Sequence, residues 1–188
     1  MQDSFRCKLI FCHNSDTFKG VYNLAERMKN IEEILDQMRS CWEGDLAAAE
    51  TVKRLFRARE LFFSDAKTVM EQFALNVGEF DAMASLRIQG EPYEQTPSNI
   101  CQTNLVSSGG LTKVLNSLEK RGLISRRQCA DDQRSRLVKL TAKGKKLINE
   151  ALEIVLARHE KQLNDALSKD EREMLNKLLM KLNQSGTR

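Results

Sequence analysis

The spacing of apolar residues predicts a chain built mainly of helices. Over most of the sequence beyond residue 28, apolar side chains recur every three or four positions, the period of one buried face of an α-helix. Asp45, Thr141 and Ser168 stand where the side chain can cap a helix start. The pattern predicts helices that begin near residue 28, run from 45 to about 75, cover 77–87, run from 141 to about 167, and follow residue 168.

Between the long helices, a shorter predicted helix has two different faces. It begins at the caps Ser107 and Ser108 and stops before Gly122, a residue suited to a helix C-terminus. The apolar positions, spaced for one buried face, are Leu111, Val114, Leu115 and Leu118. The polar positions of the opposite face are Thr112, Lys113, Asn116 and Lys120.

The segments on either side of this helix complete a recognisable unit. Thr96 followed by Pro97 is a cap with proline at the first helical position, and predicts a short helix over 98–103. Residues 123–128 and 136–140 alternate as two strands joined by the polar loop 129–135. Short helix, turn, second helix and ribbon form a helix-turn-helix with a β-wing, so the expected fold class is mainly α with a small β-wing.

Charge is concentrated on the same unit. Residues 107–146 hold eleven lysines and arginines against three carboxylates, a net charge of +8. The whole chain has 30 basic and 26 acidic residues, so everything outside this window carries −4. An isolated charge run is usually a solvated face, but one that coincides with a capped helix and a ribbon indicates a surface for a polyphosphate.

Bulk composition bounds the class of protein. The chain has 188 residues, 41% of them hydrophobic, with two prolines and nine glycines, which disfavours an all-β fold with many turns. No apolar run reaches the roughly 18 residues of a membrane span, and the start does not resemble a signal peptide. Five unclustered cysteines indicate reduced thiols. We therefore expect a soluble, cytoplasmic protein.

Three regions are expected along the chain. Residues 1–27 lack a helical period and should form an extension outside the folded core, such as one added by an upstream start codon. Residues 28–75 and 142–184 should form a helical dimerisation region, and residues 76–141 the winged helix-turn-helix. The alternative for the terminal helices is a three-helix bundle within one chain.

Several segments together resemble the MarR family of bacterial transcription regulators, which are dimeric winged helix-turn-helix proteins. The similarity is strong over 79–144 and weaker over the wider range 31–183. The segments that carry it are Glu79-Phe80-Asp81, Leu86-Arg87, Gly90-Glu91-Pro92-Tyr93, Thr96-Pro97-Ser98, residues 106–112, residues 118–124, Asp132-Gln133-Arg134-Ser135 and residues 138–144.

The resemblance implies a homodimer bound to a pseudo-palindromic double-stranded DNA operator, with no cofactor. Backbone N–H groups of Ser107, Ser108 and Gly109 would meet phosphate at the helix N-terminus. Side chains with groups that can read base edges are Thr112, Lys113 and Asn116. At the family's wing position, Arg134 would enter the minor groove with Asp132 bracing it, unless the two only close the wing turn. The further expected DNA contacts, mostly to phosphate, are Thr96, Ser98, Arg126, Arg127 and Arg136.

The family resemblance also implies repression relieved by a small aromatic or anionic effector. An extra N-terminal helix resembles that of the subgroup that binds urate, and Asp81 matches that subgroup's aspartate. Ile88 and Val114, however, stand where the subgroup has arginines, which argues against urate itself. The candidate effector residues are Met38, Trp42, Asp81 and Arg87; the last two can equally be surface charges of a helix.

Other functions have weaker support in the sequence. A thiol-sensing regulator of the same fold would use Cys41, Cys101 or Cys129, although incidental cysteine is the simpler interpretation. No constellation for an enzyme is present, and Cys7, Cys12 and His13 make only a weak metal site, so no metal is expected. A DNA-free protein adaptor is disfavoured by the basic window.

Overall fold

The computed structural model describes residues 30–104, 108–128 and 136–185. The chain divides into two units after Gly44, and the described part of the first unit is residues 30–44. In the first unit, α1 (Ile31–Cys41) begins where the Asn30 side chain accepts a hydrogen bond from the Glu32 N–H at 3.1 Å, and Leu35 is its buried residue. The expected extension over 1–27 lies outside the described residues.

The second unit confirms the predicted order of helices and wing strands. Thr96, Thr141 and Ser168 accept capping hydrogen bonds at helix starts, as predicted. The helix expected to be capped by Asp45 instead starts at Ala47, with Leu46 in the cap position. Most boundaries fall within a few residues of those expected. Its elements are α2 (Ala47–Gln72), α3 (Val77–Ile88), β1 (Glu94–Gln95), α4 (Pro97–Asn104), α5 (Ser108–Lys120), β2 (Ile124–Gln128), β3 (Arg136–Leu140), α6 (Ala142–Ala166) and α7 (Lys169–Ser185). No helix within the described ranges is both long and apolar enough to cross a bilayer.

Local hydrogen bonds explain where these helices begin and end. The Thr141 hydroxyl accepts from the Gly144 N–H at 3.0 Å and starts α6, as the sequence predicts. Ser168 and Glu171 form the predicted capping contacts before α7. Helix α2 ends at Gln72, three residues earlier than expected, because Ala74 takes a positive φ of 52° and reverses the chain.

The wing is one part of a three-stranded antiparallel sheet with strand order β1-β3-β2. Arg126 pairs with Val138 across β2 and β3, and Glu94 pairs with Lys139 across β1 and β3. Strand β1 was not expected, since two residues are too short to show an alternating pattern. Its residue Gln95 attaches the strand to α3, because the Gln95 amide nitrogen donates to the Ser85 carbonyl at 2.7 Å.

One hydrophobic core joins the helix-turn-helix, the sheet and the long helices of the second unit. Helix α2 packs along α6, where Arg158 donates to Asp65 at 3.1 Å and the rings of Phe62 and His159 meet edge to face at 5.4 Å. The core residues with no exposed surface are Val69, Ala82, Met83, Leu86, Ile100, Leu118, Val138, Ile148 and Ala151.

Candidate nucleic-acid interface

Helix α5 separates its residues as the spacing predicts. The apolar residues Leu111, Leu115 and Leu118 are buried in the core. Thr112, Lys113 and Asn116 are exposed on the other side, and Gly109 is exposed in the first turn. The helix therefore presents hydroxyl, ammonium and amide groups on one outward face, while its buried side fixes the rotation of that face.

A buried carboxylate holds α5 from behind. Glu79, only 3% exposed, accepts from the Ser117 hydroxyl at 2.6 Å and from Arg121 Nη1 at 3.1 Å. The same carboxylate accepts from the Asn76 N–H at 3.0 Å and completes the capping box that starts α3. One side chain thus joins the N-terminus of α3 to the C-terminal turns of α5.

The start of α6 is docked on the turn that follows α5. Gly122 takes φ +68° and ends the helix, and the carbonyl of Leu123 then accepts from the Thr141 N–H at 3.1 Å. A Cβ placed on Gly144 would lie 1.9 Å from that same carbonyl oxygen. Only glycine permits this approach, so the position of α5 is tied directly to the long helix α6.

The first wing arginine contacts α5. Arg126 on β2 donates from Nη2 to the Asn116 side-chain oxygen at 2.7 Å, and its Nε lies 3.3 Å from Glu119 Oε2. Both partners belong to the exposed side of α5. The wing and α5 are therefore joined by side chains at the surface that is expected to face DNA.

The other two expected phosphate contacts on the sheet have different surroundings. Arg127 donates from Nη2 and Nε to the two carboxylate oxygens of Glu94, at 2.7 and 3.3 Å, which ties β2 to β1 across the sheet. Arg136 is exposed at the start of β3. Since the Arg127 side chain is still 54% exposed, its pairing with Glu94 leaves part of the guanidinium at the surface.

Of the remaining residues expected to contact DNA, the structure describes some and leaves others outside its ranges. The Thr96 hydroxyl accepts from the Asn99 N–H at 3.3 Å and caps α4, while Ser98 is exposed on that helix. Ser108 is the first residue of α5. Ser107, Asp132 and Arg134 lie outside the described residues.

The candidate effector residues fall in both units. Met38 and Trp42 belong to the first unit, and Trp42 is 62% exposed. Asp81 is half-buried on α3, and that burial raises the pKa of its carboxyl above the ordinary value. Arg87 donates to Asn149 on α6 at 2.6 Å, and its guanidinium lies 5.2 Å from the centroid of the Tyr93 ring. It thus ties α3 to α6.

The cysteines proposed for thiol sensing occupy separate places. Cys41 is exposed at the end of α1 and Cys101 is half-buried on α4, whereas Cys129 lies outside the described residues. Cys101 borders a cavity of about 180 Å³ between α4, α5 and the strands of the wing. Within the described ranges, no group of three or more His, Cys, Asp or Glu side chains could hold a metal ion, and residues 7–13 lie outside those ranges.

The structure adds residues that the sequence did not single out. Glu79 was named only as part of a family segment, and Glu94 was not named at all. Each nevertheless pairs with an arginine of the winged helix-turn-helix. A capping-box spacing from Asn76 to Glu79 was the available signal for the first. Nothing in the local pattern marks Glu94, because its partner is 33 residues away.

Comparison with known proteins agrees with this architecture. A family model described as the MarR family matches residues 75–135. The HTH-type transcriptional regulator PecS of Dickeya dadantii is 33% identical over 111 residues, which are 59% of this chain and 66% of PecS, just under two thirds of its length.

Two solved structures are also similar. NadR in complex with 4-hydroxyphenylacetate is 25% identical, with a TM-score of 0.56, and the match covers 74% of this chain and 93% of NadR. A mutant of MepR from S. aureus, bound to an oligodeoxyribonucleotide, is also 25% identical, with a TM-score of 0.50, covering 71% of this chain and 96% of MepR. The family segments, the three-stranded winged helix and these relatives lead to one conclusion: the chain belongs to the MarR family of transcriptional regulators.

Proposed function

We propose that this protein is a homodimeric repressor that binds a pseudo-palindromic double-stranded DNA operator and is released by a small effector. The observation that carries the proposal is the exposed polar face of α5, which Glu79 and the start of α6 fix in position. A regulator needs its recognition side chains held rigidly relative to the helices that join the two subunits. The MepR structure with bound oligodeoxyribonucleotide supports DNA as the partner.

In this proposal, two α5 helices enter successive major grooves about one helical turn apart. Thr112, Lys113 and Asn116 meet base edges, while the first turn of α5, from Ser108, meets phosphate through its N–H groups. Arg136 adds a phosphate contact from the sheet. Arg134, braced by Asp132, enters the minor groove at the wing.

The salt dependence of binding tests the role of the basic surface. Arg136→Gln should weaken binding to every duplex alike and reduce the slope of log affinity against log salt by about one unit, because one phosphate contact and its released counterion are lost. The measurement is a fluorescence titration of labelled duplex at several salt concentrations, with the wild-type chain and the variant side by side.

The matched control is Lys161→Gln, which removes one charge from an exposed side chain of α6. Lys161 lies about 25 Å along the helix from Gly144, given a rise of 1.5 Å per residue, and so away from the docked end. For this variant, the slope of log affinity against log salt should equal that of the wild type. Equal slopes for all three proteins would show that Arg136 contacts no phosphate, and salt-independent binding would favour the protein-adaptor alternative.

The homodimer is supported by apolar surface that one chain leaves exposed. On α7, Met174, Leu178 and Leu182 follow each other at intervals of four residues and are each more than half exposed. On α2, the first turns expose Val52 and Phe56, at 45% and 63%. This distribution favours a dimer interface over the alternative bundle within one chain, in which these side chains would be buried.

Disrupting the α7 stripe should separate the subunits. A buried leucine contributes about 1.5–3 kcal/mol, and a two-fold interface buries it twice, so Leu178→Glu should raise the dimer dissociation constant at least a hundredfold. Analytical ultracentrifugation gives the association state. DNA affinity should fall with it.

Asn176→Glu introduces the same charge on the same helix, about 200° around its axis from Leu178, since each residue turns the helix by about 100°. This variant should remain a dimer. If Leu178→Glu also stays dimeric at micromolar concentration, the stripe is not the subunit interface.

Release by an effector is supported by NadR, whose structure contains 4-hydroxyphenylacetate. An effector acts only if it binds better to a dimer whose α5 helices are misplaced for successive grooves. Asp81 remains a candidate because its half-buried carboxyl is poorly solvated. Arg87 is a weaker candidate, since its contacts with Asn149 and Tyr93 already engage its guanidinium.

A further inference from the structure

Asn116 has one side of its amide group occupied within the protein. It lies exposed on α5, and its side-chain oxygen accepts from Arg126 Nη2 at 2.7 Å. A guanidinium has only donors, so the atom that faces it must be the amide oxygen and not the nitrogen. The contact therefore settles the orientation of the amide, which would otherwise be free to turn over.

Arg126 is itself held in place. Its Nε lies 3.3 Å from Glu119 Oε2, and its side chain is 17% exposed against the surface of α5. Asn116 and Glu119 are three residues apart and so lie on the same side of the helix. The guanidinium spans both, which keeps it beside the amide oxygen and directs the amide nitrogen away from the wing.

The amide nitrogen is the group left for a partner. Among residues 30–104, 108–128 and 136–185, no acceptor is hydrogen-bonded to Asn116 Nδ2. This nitrogen carries two N–H donors. Together with the neighbouring guanidinium of Arg126, it places N–H donors side by side on the outward face of α5.

An asparagine with both ends free commonly pairs with adenine, because its oxygen accepts from N6 while its nitrogen donates to N7. Here adenine's amino group would have to approach the same oxygen that already binds a cation. The amide oxygen keeps a second lone pair, but it is a weaker acceptor once it binds Arg126. The guanidinium beside it also repels the partly positive amino hydrogens of adenine, so this pairing is disfavoured. Guanine instead shows two acceptors, N7 and O6, in the major groove, while cytosine shows a donor.

Resting on the proposed DNA-binding function, we propose that Arg126 sets the base specificity of Asn116 by occupying its amide oxygen, so that Asn116 reads guanine in each operator half-site. Arg126 is thus a positioning residue that acts through Asn116. Its remaining N–H groups stay available to phosphate. The position is a specificity determinant built from one residue on the helix and one on the wing.

The test is selection of bound duplexes from a random library by the full-length chain and its variants. The wild type should enrich guanine at one position in each half-site, and Asn116→Ala should lose that preference there. Arg126→Met should change the preferred base at the same position from guanine to adenine, with a shift of at least tenfold in relative affinity, as expected for one bidentate base contact.

The matched control is Arg127→Met, which removes the neighbouring arginine of the same strand. Arg127 is paired with Glu94 on β1, the strand at the opposite edge of the sheet. This variant should lower affinity for all duplexes without altering the selected sequence. Circular dichroism establishes that each variant is folded. Arg126→Met that still selects guanine overturns the inference while leaving the DNA-binding function intact. A wild-type chain that selects no sequence overturns both.

A second measurement does not depend on the Arg126 variant. Replacing the selected guanine by 7-deazaguanine removes the N7 acceptor and should weaken wild-type binding at least fivefold, while inosine, which keeps N7 and O6, should bind like guanine. The Asn116→Ala variant should not distinguish these three bases. Wild-type binding that is indifferent to loss of N7 overturns the assignment of guanine to Asn116.

Discussion

Gly144→Ala is expected to destabilise the protein by about 3 kcal/mol, the upper range for overpacking. The added Cβ would stand 1.9 Å from the Leu123 carbonyl oxygen and 2.9 Å from its carbon, and backbone atoms cannot rotate aside. Within an ordinary helix, the same substitution stabilises by about 0.5–1 kcal/mol, so the sign of the effect is diagnostic. Urea unfolding of wild type and variant gives the difference in the free energy of unfolding.

Gly109→Ala is the matched control, because Gly109 lies in α5 and a Cβ there would meet nothing within 4 Å. It should be neutral or stabilising. Operator affinity of Gly144→Ala should also fall, since α6 must move away from the turn that ends α5. If both alanine variants are equally stable, the close approach of α6 to Leu123 does not exist in solution.

Glu79→Ala should cost about 2–4 kcal/mol of unfolding free energy. Removing one partner of a buried ion pair costs about 3–5 kcal/mol, but Arg121 is 31% exposed and solvent screens part of that loss. The substitution also leaves the Ser117 hydroxyl and the Asn76 N–H without their acceptor. Thermal and urea unfolding both measure this loss of stability. Operator affinity should also fall, because Glu79 no longer holds α5 in position.

A double-mutant cycle with Arg121→Met separates the causes. In that background, Glu79→Ala should cost less, because no unpaired cation remains. Glu79→Gln keeps hydrogen-bonding capacity without the charge and should be milder than Glu79→Ala. Additive losses in the cycle would show that the two side chains do not interact, and would remove the reason for treating Glu79 as the link between α3 and α5.

Local pattern was sufficient for the elements of the DNA-binding unit. The apolar spacing of Leu111, Leu115 and Leu118 predicted both the helix and its buried face, since burial of that stripe is what stabilises a short helix. The caps at Thr96 and Thr141 predicted helix starts because a capping hydrogen bond is a contact within three residues. Strand β1, only two residues long, had no such local signal.

The hydrogen-bond partners of the site residues could not be predicted from local pattern. Arg126 and Arg127 were expected to be phosphate contacts because a strand of a basic ribbon exposes such residues. Whether each meets phosphate stays a prediction, but the structure shows that they already hold Asn116 and Glu94. A free arginine and one engaged by a carboxylate look identical in sequence, although they differ in the donors they offer to DNA.

By itself, the sequence determined the helical architecture, the wing, the basic surface and the outward face with Thr112, Lys113 and Asn116. All of these depend on periodicity, capping or composition, which are properties of neighbouring residues. Only the tertiary structure decided that Glu79 holds α5, that Gly144 admits the Leu123 carbonyl, and that Arg126 occupies the Asn116 oxygen. Those contacts join residues from 10 to 42 positions apart, and their geometry exists only once the core has brought the elements together.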